Sequence, residues 1–472
     1  MYTPLSKHDV YRIHLATMEV LERIGVCVEN DTILSLLEKA GAKTGGNDKT
    51  ARIPEYVIRE SLKKVPSSFV LHTRTGHKVR IGGEKTVVSP GADAPWILDL
   101  KTGEPRTAKK SDVEQTSRLM DALQHIDVCK PLVLPQDVYP KLVDVHAAEA
   151  MMCNTSKPYY FSPSDGTSAG HIVEMATIVA GGTDELEKKP LVLANAAATS
   201  PLRLATPELD IACRFAENHL PIGVQTCPMS GATSPVTLGG TLVTMCAECL
   251  ALIVVVEIIN PGNPVVAGGA PSVMDMRTAN ATFGSVETAL MSAAISQIIR
   301  NYNLPSYTCI SNTESAIPDA QAGYESAWTT LLPLMTGASL VIGPGHLNSC
   351  TLASYEKLVM DNEILGGLKR IMEGINVSES FLAVDVVSDV GPGGHFLAHK
   401  HTREYMSRER WFPRISNRFG FREWKKERCE LWIKAKREAM EIMSTHHPEP
   451  LEKEKQEAIG NLVNKLERSQ VD

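Results

Sequence analysis

Residues 191–230 read LVLANAAATSPLRLATPELDIACRFAENHLPIGVQTCPMS and contain two short apolar runs, one on each side of a helical pattern. Each run is β-rich and is followed by polar residues, glycine or proline, as expected for a buried strand that ends in a loop. The helical pattern between the runs extends from Pro207 to Asn218. A strand, a helix and a second strand in this order predict two parallel strands covered by the helix.

The same unit recurs along the chain and can be counted eight times. Eight such units within about 290 residues favour a closed barrel over an open doubly wound sheet. No G-x-G-x-x-G follows an early strand, which weakens the open-sheet alternative further. We therefore predict an α/β fold, a (β/α)8 TIM barrel with an N-terminal helical cap and a C-terminal helical extension. The predicted strands begin near Val87, Ile126, Tyr159, Leu191, Ile222, Val265, Ser306 and Ser339.

Two segments of different character flank the barrel. Residues 1–80 form the predicted N-terminal helical cap with a hairpin, where Ser6 can cap the first helix and FVLHTRTGHKVRIGG begins the hairpin at Phe69. Residues 81–373 form the barrel. Residues 374–472 form a C-terminal loop and helical extension, and the long terminal helices lead us to expect a homo-oligomer.

Composition excludes several classes of partner. A net charge of -7 and the lack of a long basic run give no reason to expect nucleic acid. The longest apolar stretch, 250–259, contains Glu257 and is too short to span a bilayer. The N-terminus lacks a basic start followed by an apolar core, and the ten cysteines follow no regular spacing. We expect a cytoplasmic protein with no membrane partner.

Polar and aromatic residues collect where the predicted strands end, which is where barrels of this kind carry their chemistry. Aromatic faces combined with carboxylates suit a desolvated quaternary ammonium group. Gly268, Gly269, Gly343 and Gly345 are expected to let a ligand approach the backbone closely. The candidate site residues are Trp96, Phe161, Gln225, Asp275, Arg277, Asn312, Glu314, Asp319, Gln321, Tyr324, His346 and Asn348.

A metal site is the main alternative that the motifs raise. His395, His399 and His401 include a His-x3-His spacing that suits zinc, but they follow a Gly-Pro-Gly-Gly turn and have no cysteine nearby. A loop that covers the barrel mouth, with His395 hydrogen-bonded there, is the preferred interpretation. Cys246 and Cys249 form a lone C-x-x-C within a helical pattern, which is typical of core thiols. No G-x-S-x-G nucleophile motif is present.

Five motifs resemble the trimethylamine methyltransferase superfamily. They are LERIGVCVEND (21–31), CPMSGATSPVTLGGTLV (227–243), DAQAGYESAW (319–328), GPGHLNSCTLASYEKLVMDNEI (343–364) and GPGGHFLAHKHT (391–402). The founding members carry pyrrolysine at the barrel mouth, whereas residues 346–350, where we expect it, are ordinary here. The resemblance is therefore to the nonpyrrolysine branch.

That branch implies transfer of a methyl group from a betaine, such as glycine betaine, to Co(I) of a corrinoid protein, leaving a dimethylamino product. The resemblance implies no tightly bound cofactor, since the cobalamin is carried by the partner protein. A quaternary nitrogen needs no proton to leave, so no acid or base is expected. A betaine-binding sensor without turnover and a zinc-dependent methyltransferase remain the alternatives.

The resemblance also suggests roles for the candidates. Glu314, Tyr324 and His346 would position the substrate, and Tyr324 would also cage its ammonium group together with Trp96 and Phe161. Two local alternatives stay open, because Asp319 can cap the following helix and Arg277 can pair with Asp275. The further candidate contacts are the carboxylates Asp275 and Asp319, the substrate-carboxylate donors Gln225, Arg277, His346 and Asn348, and the pocket residues Asn312 and Gln321.

Overall fold

Seven parallel strands form a nearly closed barrel in a computed structural model that describes residues 2–45, 48–91 and 93–471. The final residue of the predicted extension, Asp472, lies outside the described residues. Adjacent strands pair in parallel throughout, which confirms the predicted barrel class. In spatial order the strands are Val87–Ser89, Leu340–Ile342, Ser306–Cys309, Val265–Gly269, Ile222–Thr226, Val192–Ala198 and Tyr159–Phe161.

The eighth predicted strand, from Ile126, is not a regular strand. Its backbone nevertheless bridges the gap between the first and last strands, because Asp127 N donates to Val88 O at 2.8 Å and Cys129 N donates to Pro158 O at 2.9 Å. Pro131 follows shortly afterwards and has no N–H to continue a ladder. The barrel is therefore closed by a short irregular segment where an eighth strand was predicted.

Within the residues that the structure describes, eight helices surround the barrel, one after each strand position. Side-chain oxygens of Asp165, Ser285, Asp319 and Ser354 each accept a hydrogen bond from a backbone N–H in the first turn, which fixes where four of these helices begin. The helices are Lys110–Ala122, Val143–Asn154, Gly166–Ala180, Thr206–Glu217, Leu238–Ile259, Val286–Asn301, Ala320–Thr336 and Tyr355–Glu373.

A β-hairpin closes the N-terminal end of the barrel. Its strands, Phe69–His72 and Lys78–Ile81, pair antiparallel, and their inward side chains join the core inside the barrel. This inner core is separate from the larger apolar layer between strands and helices. Its members are Phe69, Leu71, Ile81, Val87, Val128, Tyr160, Leu193, Val266, Ala270, Tyr307, Cys309, Leu340 and Ile342.

The remaining N-terminal residues pack on the outside of the barrel. Ser6 caps the first helix as predicted, with its hydroxyl accepting from Asp9 N at 3.1 Å. The strand Val26–Val28 pairs in parallel with Arg203–Leu204, which attaches this segment to the barrel. Its other elements are the helices Lys7–Glu19, Asp31–Lys39 and Glu55–Leu62, the π-helical turn Val20–Ile24, and the strands Lys43–Thr44 and Thr50–Arg52.

In the described part of the chain, one helix is long and apolar enough to cross a membrane, Leu238–Ile259. It is mostly buried, because it packs against the barrel and against the helices Lys7–Glu19 and Glu55–Leu62. A helix that is apolar on all sides is typical of a protein core as well as of a membrane span. Its composition is therefore explained by its place in the fold.

The C-terminal segment wraps around the outside of the barrel. Glu363 holds it by accepting backbone N–H bonds from Arg414 and Ser416, at 3.1 and 2.9 Å. The helix Leu431–Thr445 then packs on Tyr355–Glu373. The other helices of this segment are Glu379–Leu382, Val384–Val390, Lys400–Glu409, Phe421–Glu427 and Lys453–Val471.

The strand-end glycines bring neighbouring strands together, which corrects the expectation that they leave room for a ligand. A Cβ at Gly268 would lie 2.0 Å from Tyr307 O, and one at Gly269 would lie 1.9 Å from Thr226 O. Gly343 is tighter still, with a positive φ of 146° and a Cβ position 1.7 Å from Ile310 O. At Gly345 a Cβ would meet leucine side chains. These positions need glycine for barrel closure.

We expect Gly343→Ala to lower the free energy of unfolding by about 3 kcal/mol or more, because backbone strain adds to a clash with a fixed carbonyl. The matched control is Gly170→Ala, in helix Gly166–Ala180, where nothing lies within 4 Å of the new Cβ. That change should leave stability unchanged or raise it by about 1 kcal/mol. Urea unfolding followed by circular dichroism measures both, and equal stability of the two variants would contradict this account of closure.

Candidate active site

A chain of hydrogen bonds crosses the barrel interior near the C-terminal ends of the strands. Tyr160 Oη donates to Asn195 Oδ1, and Asn195 Nδ2 donates to Gln225 Oε1. Tyr307 Oη reaches the same Gln225 oxygen at 3.2 Å. Gly223 leaves room for this chain, since a Cβ there would lie 2.7 Å from Asn195 Oδ1. These four side chains form the floor of the barrel mouth.

A buried lysine lies beside this floor. The Lys130 side chain is 1% exposed, and its Nζ donates to Ser162 Oγ and lies 4.1 Å from the centre of the Tyr160 ring. The nearest carboxylate oxygen is Asp93 Oδ2, at 4.0 Å. Burial lowers the pKa of Lys130 and raises the pKa of Asp93 to about 6, while each charge opposes the shift of the other.

Two carboxylates converge on the rim of the mouth. Glu314 Oε1 accepts the backbone N–H groups of Phe283 and Gly284, at 2.6 and 2.8 Å. Glu325 Oε2 accepts from Thr313 Oγ1 and from Glu314 N, at 2.5 and 2.9 Å. A Cβ at Gly284 would lie within 3 Å of the Oε2 atoms of both glutamates. Burial, and less strongly the Glu325 charge, raise the pKa of Glu314.

The predicted aromatic cage is only partly assembled. Tyr324 and Trp328 have ring centres 4.9 Å apart, and Trp328 Nε1 donates to Gly284 O at 2.7 Å, which places the pair beside the rim carboxylates. Trp96 is 46% exposed on a small sheet next to the mouth. Phe161 faces the helices outside the barrel, because successive side chains of a strand alternate and the inward position belongs to Tyr160.

Three of the four side chains predicted to donate hydrogen bonds to the substrate carboxylate have other partners in the protein. His346 is buried, its Nε2 lies 3.3 Å from Leu132 O, and burial lowers its pKa to about 4. Asn348 Nδ2 donates to Thr351 Oγ1 at 2.8 Å. Arg277 is exposed on the surface and pairs at 2.6 Å with the half-buried Asp275, which is the local alternative left open above. Gln225 remains in the floor.

The remaining candidates lie on the strand-to-helix junction after the strand Ser306–Cys309. Asp319 caps helix Ala320–Thr336 by accepting from Ala322 N at 3.0 Å, which is again the local alternative. Gln321 Nε2 donates to Glu325 Oε1 at 3.0 Å and so orients a rim carboxylate. Asn312 is 1% exposed, and among the described residues its Nδ2 has no hydrogen-bond partner. It is a buried donor left available at the mouth.

A buried ion pair supports the loops that carry these residues. Lys357 Nζ contacts Asp361 at 2.6 Å and donates to Ser311 O at 3.2 Å, while Asp361 Oδ2 accepts from Gly345 N at 2.8 Å. The two side chains are almost fully buried. This ion pair, on a single helix, thus holds the loops that follow the strands Ser306–Cys309 and Leu340–Ile342. Removal of either charge would leave the other buried and unpaired and would lower the stability of the protein.

The histidine motif does not form a metal site in the part of the chain that the structure describes, where no group of three or more His, Cys, Asp or Glu side chains converges. His399 caps helix Lys400–Glu409, and His401 stacks on Tyr405. His395 is exposed, and its segment follows the C-terminal end of Tyr355–Glu373, at the end opposite the mouth. This corrects the expectation of a loop over the mouth.

Cys246 and Cys249 are buried within helix Leu238–Ile259, in agreement with core thiols. Burial raises the pKa of both thiols.

A cavity of about 1040 Å³ lies at the opposite end of the barrel, next to the hairpin. It is lined in part by Lys78, Lys85 and Lys369. The polar strand ends are at the other end, where function concentrates in this fold, so we place the active site at the mouth.

Sequence reasoning missed four side chains that shape the mouth. Lys130 is the last residue of the irregular segment that closes the barrel. Its position at the end of a predicted strand could therefore have indicated a side chain at the mouth. Glu325 lies four residues after Gln321 and one turn of helix away from it. Tyr160 and Tyr307 lie within strands, and only the register of the barrel shows that they face inward.

The raised pKa of Asp93 gives a testable dependence of stability on pH. A carboxyl whose pKa is higher in the folded than in the unfolded protein contributes stability below about pH 4, and that contribution is lost as the pH rises through about 6. We therefore compare the unfolding free energies of the natural protein and Asp93→Asn. We expect the value for the natural protein minus the value for the variant to decrease as the pH rises from about 4 to about 7. Urea titrations across this range test it, and a difference that rises or stays constant would contradict it.

Comparison with known proteins places the chain in a family. The profile described as trimethylamine methyltransferase (MTTB) matches residues 1–470. The chain is 34% identical to a glycine betaine methyltransferase of Desulfitobacterium hafniense strain Y51, over 96% of this chain and 95% of that protein. It is 32% identical to a trimethylamine methyltransferase MttB of D. hafniense strain DSM 10664 / DCB-2, over 98% and 93%.

Among solved structures, the monomethylamine methyltransferase MtmB of Methanosarcina barkeri matches with a TM-score of 0.51 at 13% identity, over 93% of each chain. This likeness supports the fold alone. The match to the family profile and the sequence relatives establishes more, and the chain belongs to the trimethylamine methyltransferase (MTTB) family of methyltransferases.

Proposed function

We propose that this protein transfers a methyl group from a quaternary amine, such as glycine betaine, to Co(I) of a corrinoid protein and releases the dimethylamino product. Family membership and the named relatives support a methyltransferase that acts on methylated amines. The absence of pyrrolysine from the sequence favours a substrate whose nitrogen already carries a fixed positive charge. The chain would act with a partner protein that brings the cobalt to the barrel mouth.

The observation that carries this proposal is the pair of rim carboxylates beside an aromatic pair. Glu314 and Glu325 converge on one point at Gly284, and Trp328 donates to the carbonyl of that glycine. Negative charge next to aromatic rings at a partly desolvated site attracts a quaternary ammonium group. The carboxylates are held by backbone and hydroxyl donors, so their positions are set before any ligand arrives.

The proposed reaction needs no general acid or general base from the protein. The C–N bond breaks with its electron pair remaining on nitrogen, while the corrinoid supplies the electron pair for the new bond to the methyl carbon. The released tertiary amine is neutral, so no proton has to move in that step. His346 would not supply a proton either, because burial lowers its pKa to about 4 and keeps its ring neutral near pH 7.

The rim carboxylates should therefore contribute to binding more than to the chemical step. They stabilise the positive charge of the bound substrate, and that charge disappears as the methyl group leaves. Orientation of the methyl group toward the mouth is the larger contribution to rate, since it makes the attack effectively intramolecular.

We expect Glu314→Gln to raise the KM for the quaternary amine about tenfold or more while kcat changes less than threefold. Glutamine keeps the oxygen that accepts from Phe283 and Gly284, so the loop should stay in place while the charge is lost. The control is Glu287→Gln, which removes an exposed carboxylate at the same end of the barrel. Steady-state methyl transfer at fixed corrinoid concentration gives both constants, and a loss confined to kcat would contradict a binding role for Glu314.

The reaction itself is tested with a substrate panel of glycine betaine, carnitine, γ-butyrobetaine, proline betaine and trimethylamine. Each is incubated with the protein and reduced corrinoid, and cobalt methylation is followed by its absorbance. We expect one or more quaternary amines to be demethylated with a dimethylamino product formed in equal amount. Transfer from trimethylamine alone would overturn the proposal, and binding without any transfer would favour a sensor. A cytoplasmic location and a homo-oligomer remain predictions.

A further inference from the structure

The ammonium group of Lys130, beside the floor of the mouth, has more hydrogen-bond donors than acceptors around it. An ammonium group has three N–H donors. Among the described residues, Lys130 Nζ has one acceptor within hydrogen-bond distance, Ser162 Oγ, and its nearest carboxylate oxygen is 4.0 Å away on Asp93. A buried donor without a partner costs roughly 1–3 kcal/mol, and more when it is charged. The floor is therefore arranged for an acceptor that comes from outside the chain.

Two amide groups add to this excess of donors. Asn312 Nδ2 is buried and without a partner among the residues that the structure describes. Gln225 Nε2 donates to Cys227 Sγ at 3.0 Å and carries a second hydrogen that this bond does not use. The other predicted donors, His346, Asn348 and Arg277, are already engaged. Gln225 is joined to Lys130 through two side chains, because Asn195 Nδ2 donates to Gln225 Oε1 and lies 3.4 Å from Ser162 Oγ, which accepts from Lys130 Nζ.

The charges at the mouth are separated by sign. Lys130 lies on the side of the second and third strand positions in chain order, whereas Glu314 and Glu325 lie at the seventh. A cation near Lys130 would be repelled, and an anion there would be attracted, while the reverse holds at the rim.

We propose that Lys130, with Gln225, forms a carboxylate subsite in the floor of the mouth, so that the substrate is a zwitterion whose anionic end binds there while its ammonium group lies at the rim. This inference rests on the proposed function and adds the residues that recognise the anionic end. It selects substrates with a carboxylate over simple methylated amines. Trimethylamine and choline lack that group and leave the Lys130 donors unfilled.

The test measures the discrimination between ligands that differ only in the anionic end. Glycine betaine is compared with choline, and γ-butyrobetaine with its alcohol analogue, by titration calorimetry. The variant is Lys130→Met combined with Asp93→Asn, so that no lone carboxylate is left buried. The control is Lys157→Met, which removes a half-buried lysine that donates to Met120 O and Leu123 O near the N-terminal end of the strands.

We expect the natural protein to bind at least one carboxylate ligand tenfold or more tightly than its alcohol analogue. The Lys130 variant should lose that ratio through weaker carboxylate binding, with the affinity for the alcohol unchanged or improved. Lys157→Met should keep the ratio even if it lowers stability. A natural protein without this preference, or a Lys130 variant that weakens both ligands equally, would overturn the subsite.

Failure of the subsite and failure of the proposed reaction give different results. Demethylation of choline with the same KM as glycine betaine would leave quaternary-amine transfer intact and overturn the subsite. Transfer from trimethylamine alone would overturn the proposed reaction, and the calorimetric ratio would still decide the subsite, because it measures binding of the carboxylate end without turnover.

Discussion

The closure of the barrel at residues 127–130 is the constraint on which both the fold and the site depend. The first and last regular strands are joined by a short segment that donates N–H groups to the strand Val87–Ser89 and to Pro158, next to the last strand. Proline prevents this segment from continuing as a strand. The chain leaves the barrel wall directly after Lys130, so the same interruption that ends the pairing delivers a buried ammonium to the interior.

The interior then separates into an apolar part and a polar part. The hairpin at one end and the inward aliphatic side chains fill the lower barrel, and the Tyr160–Asn195–Gln225–Tyr307 chain covers them with a polar floor. A fixed floor with unfilled donors and a rim with fixed carboxylates form a pocket with a positive and a negative end. Such preorganisation orients a substrate with little movement of the protein.

Much of the fold could be predicted from sequence because its periodic patterns are strong. The helices after each strand position and seven of eight strands follow from alternating apolar runs and helical spacing. The prediction of a strand from Ile126 was wrong. The apolar run there has the composition of a strand, but Pro131 lacks the backbone N–H that strand pairing needs. The glycines were misassigned because sequence cannot tell whether open space or a neighbouring strand lies opposite a missing side chain.

The site was less predictable because side-chain direction depends on register. Phe161 and Tyr160 are adjacent, and a shift of one residue decides which of them faces inward. Asp319 and Arg277 bind groups only two or three residues away in the chain. Such local hydrogen bonds compete with contacts to distant parts of the site. Lys130 was overlooked because a lysine after a strand is usually solvated, and only closure of the barrel shows that it is buried.

The most direct measurement of the central claim is a competition between methyl donors. Equal concentrations of glycine betaine and trimethylamine, carrying different isotopic labels in their methyl groups, are supplied to the protein with limiting reduced corrinoid protein. The account predicts that nearly all methyl groups on cobalt come from the zwitterion. A methylated corrinoid labelled mainly from trimethylamine would contradict it.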